Sequence, residues 1–254
     1  MTSRPAAGGG RWVPVAPERL EGWLRGFAER HGAAEAVLDA DVVRLRAEDG
    51  AVAECHVPFP PLTVLEAVSG TEAEAVSGGK PDAVSGAGSG AVSEVEPSSA
   101  SGDLLRALVV HAGKDRRVGV FLVRLGGHAA GIFEGGRLVS SKVGSRLVHG
   151  RSAAGGWSQH RFARRREKQA GEASRAAADV AVRVLVPQAG TLDAVVFGGD
   201  RRAIDALRED RRLSALFALE SGPFLDVPDP RLAVLQETPK QFRAVRIRVV
   251  DPEA

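Results

Sequence analysis

The sequence is poor in the residues that mark several large classes of protein. Its 254 residues include one cysteine, Cys55, which excludes a disulfide scaffold and a cysteine-based zinc finger. No apolar run approaches the roughly 18 residues that a membrane-spanning helix needs, so we expect no contact with a membrane. The N-terminus lacks the apolar stretch of a secretory signal, which favours a cytoplasmic protein. Hydrophobic residues make up 44% of the chain, and this amount excludes wholesale disorder.

Positive charge is concentrated in one segment of a nearly neutral chain. The net charge of the whole chain is +2, whereas ten basic and two acidic residues between Arg137 and Arg175 give that segment +8. Such a segment in a weakly charged protein is typical of a surface that meets a local polyanion.

A repeat of eight residues interrupts the chain. Ala-Val-Ser-Gly begins at Ala67, Ala75 and Ala83, and Ala-Val-Ser begins again at Ala91. The spacers are mainly Gly, Ser, Glu, Pro and Lys, so the segment cannot bury enough apolar surface to offset its ordering entropy. We interpret residues 66–102 as a flexible low-complexity insert without chemistry of its own.

Hydrophobic periodicity predicts the elements on both sides of the insert. Before it, 17–31 has the spacing of an amphipathic helix, and 36–46 and 51–57 have the composition of a hairpin. After it, we predict strands over 104–112, 118–123, 129–133, 137–143, 192–197 and 242–250, and helices over 158–184 and 200–211. The three strands between 118 and 143 are separated by glycine pairs, which indicates an antiparallel meander.

These elements predict an α+β fold, with a mixed β-sheet that contains the antiparallel meander and is flanked by helices. We divide the chain into residues 1–65, a helix and a hairpin packed on the main domain, the insert 66–102, and a main domain over 103–254. The sequence has no heptad pattern and no spare apolar stripe that indicates a dimer, so we expect a monomer.

The most distinctive motif is a glycine-rich stretch that leads into an arginine-rich helix. The stretch contains Arg151, Gly155 and Gly156, and Gln159 follows where the helix is predicted to begin. Glycines let a backbone approach a ligand closely, and the free N–H groups of a helix start attract anions. The basic residues that follow suit phosphate contacts: Arg161, Arg164, Arg165, Arg166 and Lys168. The alternative interpretation is that the stretch is a solvent-exposed loop, followed by a solvent-exposed charged helix face, and that neither binds a ligand.

Other catalytic patterns are incomplete. Ser158 and His160 lie near each other in sequence, but the segment lacks the final glycine of a Gly-x-Ser-x-Gly turn. The six histidines show no metal-ligand spacing. We therefore predict neither a serine triad nor a metal site, and no cofactor.

The segment from Leu104 onward, above all GGRLVSSKVGSRLVHGRSAAGGWSQHRFARRREKQA, resembles the actinobacterial members of the Vms-like release-factor family. The resemblance implies a catalytic domain similar to the central domain of eukaryotic and archaeal class I release factors. It also implies a peptidyl-tRNA hydrolase that cleaves the ester between nascent peptide and tRNA on stalled ribosomal complexes. The implied partners are peptidyl-tRNA and the peptidyl transferase centre of the large ribosomal subunit.

In the release factors a Gly-Gly-Gln loop enters that centre, and the glutamine helps to place the attacking water. The matching residues are Gly155, Gly156 and Gln159, although Trp157 and Ser158 separate the glycines from the glutamine here. The resemblance thus implies a catalytic role for these three residues. It implies contacts with RNA phosphates for Arg151 and for the five basic residues Arg161, Arg164, Arg165, Arg166 and Lys168.

Two other functions stay open at the level of sequence. Some members of the family are thought to cut tRNA near its CCA end, which makes a tRNA endonuclease one alternative. The other alternative is a ribosome-binding or RNA-binding module without catalysis, which would have no need of a glycine-rich loop that carries Gln159.

Overall fold

The computed structural model describes residues 4–63, 97–124, 126–145 and 159–252, except the side chains of 97–99 and 159–168. The chain forms two compact units. The first comprises Met1–Val57, Pro61–Gly113 and Val245–Ala254, and the second comprises Pro58–Pro60 and Lys114–Ala244. Within the described residues, no helix combines the length and the apolar character that crossing a membrane requires.

The first unit is an antiparallel sheet with two helices. Its elements are β1 (Arg4–Pro5), β2 (Arg11–Val15), α1 (Pro17–His31), β3 (Ala34–Asp39), β4 (Val42–Ala47), β5 (Val52–His56), α2 (Pro97–Gly113) and, from the last residues described, β10 (Val245–Val250). Its strands follow the order β1-β2-β10-β5-β4-β3.

Helix α1 lies where its apolar spacing predicts it. Leu20, Leu24 and Phe27 are buried on one face, at intervals of four and three residues. Pro17 occupies the first turn, where a missing N–H costs nothing, and Gly32 ends the helix with a φ of 86° that favours glycine. These caps set the bounds of the helix that the sequence predicts.

Two predicted elements of this unit are wrong. The predicted strand 104–112 is part of helix α2, in which Leu104, Leu108 and Ala112 are buried four residues apart. The predicted strand 36–46 is two strands, β3 and β4, because the chain turns at Ala40 with a φ of 50°. In both cases a short apolar run fits more than one periodicity, and contacts with the rest of the unit decide between them.

The units also differ from the domain boundaries drawn from the sequence. Residues 103–113 and 245–254 lie in the first unit, because α2 packs on β3 and β4 and β10 pairs with β2 and β5. The predicted insert, 66–102, overlaps α2 from residue 97, and its part over 66–96 lies outside the described residues.

The second unit is a mixed sheet of four strands covered by helices on both faces. Its elements are β6 (Arg117–Arg124), β7 (Gly127–Glu134), β8 (Arg137–Ser145), α3 (Gln159–Val184), a 3-10 helix (Val186–Thr191), β9 (Ala194–Gly199), α4 (Arg201–Leu207), a second 3-10 helix (Arg211–Leu213), α5 (Ser214–Ala218), α6 (Leu232–Glu237) and α7 (Pro239–Phe242). The strand order is β8-β7-β6-β9, with β6 and β9 parallel and the other pairs antiparallel.

The central strand β6 is buried on both faces of this sheet from Val118 to Val123. One face packs against α3 and α4 around Phe121, and the other packs against α6 and α7 around Phe133. The predicted fold class is confirmed: the fold is α+β, and a mixed sheet that contains an antiparallel meander is flanked by helices. The strand predicted over 242–250 begins only at Val245, because Phe242 ends α7.

Candidate functional site

The candidate site lies between the end of β8 and the first turns of α3. Strand β8 ends at Ser145, and α3 begins at Gln159. The predicted site residues Arg151, Gly155 and Gly156 fall between these two points, outside the described residues. The helix predicted over 158–184 is confirmed as α3, Gln159–Val184, so Gln159 is its first residue.

The second half of α3 is anchored on the sheet by small residues. Ala173, Ala177 and Ala181 are buried at intervals of four residues and lie on one face of the helix. Ala177 and Ala181 belong to the same apolar cluster as Ala130 and Ile132 of β7. Methyl side chains let the helix approach the strands closely, which fixes its direction relative to the sheet.

The burial of this face of α3 does not extend from Ala173 back to Ala170. Ala170 lies on the same face, seven residues before Ala177, yet it is exposed. The apolar periodicity of 158–184 indicates which face of the helix meets the sheet, but not the residue at which that contact ends. The 14 residues from Gln159 to Glu172 make up about 21 Å of helix before the buried alanines begin.

The predicted RNA-binding residues of the helix lie in this first part. Arg161, Arg164, Arg165, Arg166 and Lys168 are helical, and their side chains lie outside what the structure describes. The first turn of α3 contains no acidic residue. The positive charge of Arg161 in this turn is therefore unfavourable, because the helix dipole favours negative charge at a helix N-terminus. A bound polyanion would relieve this repulsion.

A glycine fixes the strand that leads to the candidate site. Gly144 of β8 pairs with His128 of β7, whose buried ring covers it. A Cβ atom on Gly144 would lie 2.5 Å from Nε2 of His128 and 3.1 Å from its Cε1. The ring and the last residues of β8 therefore fit together only when position 144 has no side chain.

We expect Gly144→Ala to destabilise the second unit by about 1–3 kcal/mol, because the buried ring of His128 would have to move. Urea unfolding followed by circular dichroism measures this loss. The control is Gly171→Ala in α3, where a Cβ atom has nothing within 4 Å; it should stabilise the helix by roughly 0.5–1 kcal/mol. A loss from both substitutions would contradict the proposed role of His128.

The one thiol and the metal-ligand residue types can be compared with what a reactive site needs, within the part of the chain that the structure describes. Burial raises the pKa of Cys55 to about 12, so this thiol stays protonated and unreactive at neutral pH. No group of three His, Cys, Asp or Glu residues within the described ranges could hold a metal ion.

The candidate site thus combines, on an α+β fold, a glycine-rich segment of the sequence with an arginine-rich helix start. Residues 116–248, more than half of the chain, match the family of Actinobacteria/chloroflexi VLRF1 release factors. The chain belongs to this family. The comparison with curated proteins gives no match.

Two solved structures with archaeal titles are similar to the chain. One is the crystal structure of the archaeal translation termination factor aRF1, with 20% identity, a TM-score of 0.38, and coverage of 56% of this chain and 40% of that chain. The other is titled only as an archaeal protein, with 23% identity, a TM-score of 0.31, and coverage of 56% and 39%. This chain thus spans about two fifths of the length of each of these two structures.

Proposed function

We propose that this protein is a peptidyl-tRNA hydrolase of the release-factor type, with Gln159 as its central catalytic residue. One observation carries the proposal: Gln159 is the first residue of α3 and directly follows the glycine-rich segment in the chain. Membership of the VLRF1 release-factor family supports it. The proposed substrate is the ester between nascent peptide and tRNA on stalled ribosomal complexes, which implies a cytoplasmic protein.

In the proposed reaction a water oxygen attacks the ester carbonyl carbon, and the bond to the ribose oxygen of the tRNA breaks. The side-chain amide of Gln159 orients that water or donates to the developing oxyanion. A neutral amide is too weak a base to take the proton. We therefore assign proton removal to a ribose hydroxyl of the RNA or to solvent, and the departing ribose oxygen ends protonated.

The residues around Gln159 would bring it to the tRNA and hold it there. Gly155 and Gly156 carry no side chain, so the backbone at these positions could enter a narrow site whose walls are RNA. Arg151 and the five basic residues of α3 would contact phosphates, which position a nucleic acid without reading its sequence. This property suits an enzyme that acts on many different tRNAs. We propose that the protein acts as a monomer.

The test is release of labelled peptide from peptidyl-tRNA, both free and bound to large ribosomal subunits, by the wild-type chain. We expect peptide release with an intact CCA end on the tRNA product. A shortened 3′ end would instead identify a tRNA endonuclease. Strong, salt-dependent binding without turnover of either kind would identify a binding module. Either of these two results would overturn the proposed hydrolase.

A further inference from the structure

A cavity of about 490 Å³ lies in the second unit, where β7 and β8 meet the last turn of α3 and the 3-10 helix Val186–Thr191. Its volume falls within the range of roughly 300–1,000 Å³ that is usual for ligand sites. Arg183, at the C-terminal end of α3, lines it. Because a helix rises by about 1.5 Å per residue, this cavity lies roughly 36 Å from Gln159 along α3.

The strand register shows which side chains of β8 belong to the cavity. Lys142 is paired with Ala130 and Ser140 with Ile132, and paired residues of antiparallel strands lie on the same face of a sheet. Ala130 and Ile132 face α3. Lys142 and Ser140 therefore lie on the face of the sheet that carries α3, and both line the cavity together with Arg183.

The cavity has an excess of positive charge. Its one carboxylate, Glu134, accepts from Arg117 at 2.5 Å and from Arg137 at 2.6 Å, so two guanidiniums already neutralise it. Lys142 and Arg183 are exposed, and within the described ranges neither has an ion pair or a side-chain hydrogen bond. Two cations without counter-ions in one concave surface attract an anion.

The chemistry of the lining favours a phosphate. Lys142 and Arg183 offer donors only, and Ser140 adds a hydroxyl. No aromatic ring occurs among the described residues that line the cavity, so they offer no surface for stacking a base. Phosphate contacts of this kind position a nucleic acid rather than read its bases.

We propose that this cavity binds a phosphate of an RNA backbone and is a second contact with the RNA that the first turns of α3 hold. The inference rests on the proposed function, because that function makes RNA the ligand of the protein. The nucleic acid would then contact both ends of α3, which would fix the direction of the helix relative to the tRNA.

The experiment measures the affinity of the full chain for deacylated tRNA over a series of salt concentrations. The test variant is Lys142→Gln with Arg183→Gln. We expect affinity to fall by about tenfold, and the slope of log affinity against log salt to fall by roughly 1.5–2, because two phosphate contacts are lost. The matched control is Arg25→Gln with Arg202→Gln, which removes the same charge from exposed positions outside the cavity and should keep the slope.

Two further variants and probes complete the test. Lys142→Arg with Arg183→Lys retains both charges and should retain the slope; equal losses in the test and control pairs, or no loss in either, would overturn the inference. Inorganic phosphate and AMP test the other source of the group. If they raise the thermal stability of the wild type but not of the test variant, while tRNA affinity is equal in both, the ligand is a free phosphate compound and the RNA assignment is wrong.

The test does not depend on catalysis. Affinity and its salt dependence measure the cavity, whereas peptide release measures the proposed hydrolase. Absence of peptide release by the wild type would contradict the proposed function and leave the loss of slope in place. An unchanged slope would contradict the inference about the cavity and leave peptide release in place.

Discussion

Replacing Gln159 by alanine is expected to slow peptide release by about 10²–10³-fold, the usual cost of losing one group that positions the nucleophile or stabilises the oxyanion. Alanine keeps the helical propensity of the first turn of α3, so the substitution removes the amide and little else. The rate should be measured in single turnover on large ribosomal subunits with labelled peptidyl-tRNA, where chemistry is separated from product release.

The matched control is Gln169→Ala, which removes the same amide from the same helix ten residues further along. Its rate of release should stay within about twofold of the wild type, because nothing places Gln169 near the start of α3. Equal rates for the wild type and Gln159→Ala would contradict the catalytic role of Gln159. Equal losses in both variants would show that the helix, and not the position of the amide, limits the rate.

Long elements with a strong periodic pattern could be predicted from the sequence. Helix α3 and the three strands of the meander lie close to their predicted bounds, because many residues repeat the same signal. The α+β class follows from their order. The motif around Gln159 stands out in local composition, since glycines, an amide and arginines occur within a short stretch, whereas its catalytic role comes from the family resemblance and stays a prediction.

Long-range pairing could not be predicted. Strand β10 pairs with β2 and β5, although about two hundred residues separate it from them, and no local pattern specifies those partners. The sequence predicts a strand in place of helix α2 because a short, continuous apolar run fits a buried strand as well as a buried helix. What decides in favour of a helix is that Leu104, Ala107 and Leu108 share one face and are buried in the core of the first unit.

The cavity of the second unit shows the same limit for a functional surface. Arg117 and Arg183 belong to different elements and lie far apart in the chain, so no motif joins them. Lys142 belongs to the basic segment that the sequence shows, but its position opposite Arg183 in the cavity depends on where α3 ends. The sequence therefore predicts the charge of this region and not the site that the charge forms.

Replacing Ala177 by aspartate is expected to destabilise the second unit by more than about 4 kcal/mol, because it buries a carboxylate without a partner. Ala177 is completely buried in the cluster that joins α3 to β7. Loss of this contact would also remove the platform that directs the first turns of α3. We expect peptide release to disappear with the fold, and urea unfolding followed by circular dichroism measures the stability.

Ala170→Asp separates burial from the properties of the new side chain. Position 170 lies two helical turns before Ala177 on the same face, and both substitutions lose the same helix propensity. Because Ala170 is exposed, its replacement should cost no more than about 1 kcal/mol. If both variants lose the same stability, the sheet or another element covers α3 at residue 170. That result would contradict the exposure of α3 at residue 170, on the side of the helix that leads toward Gln159.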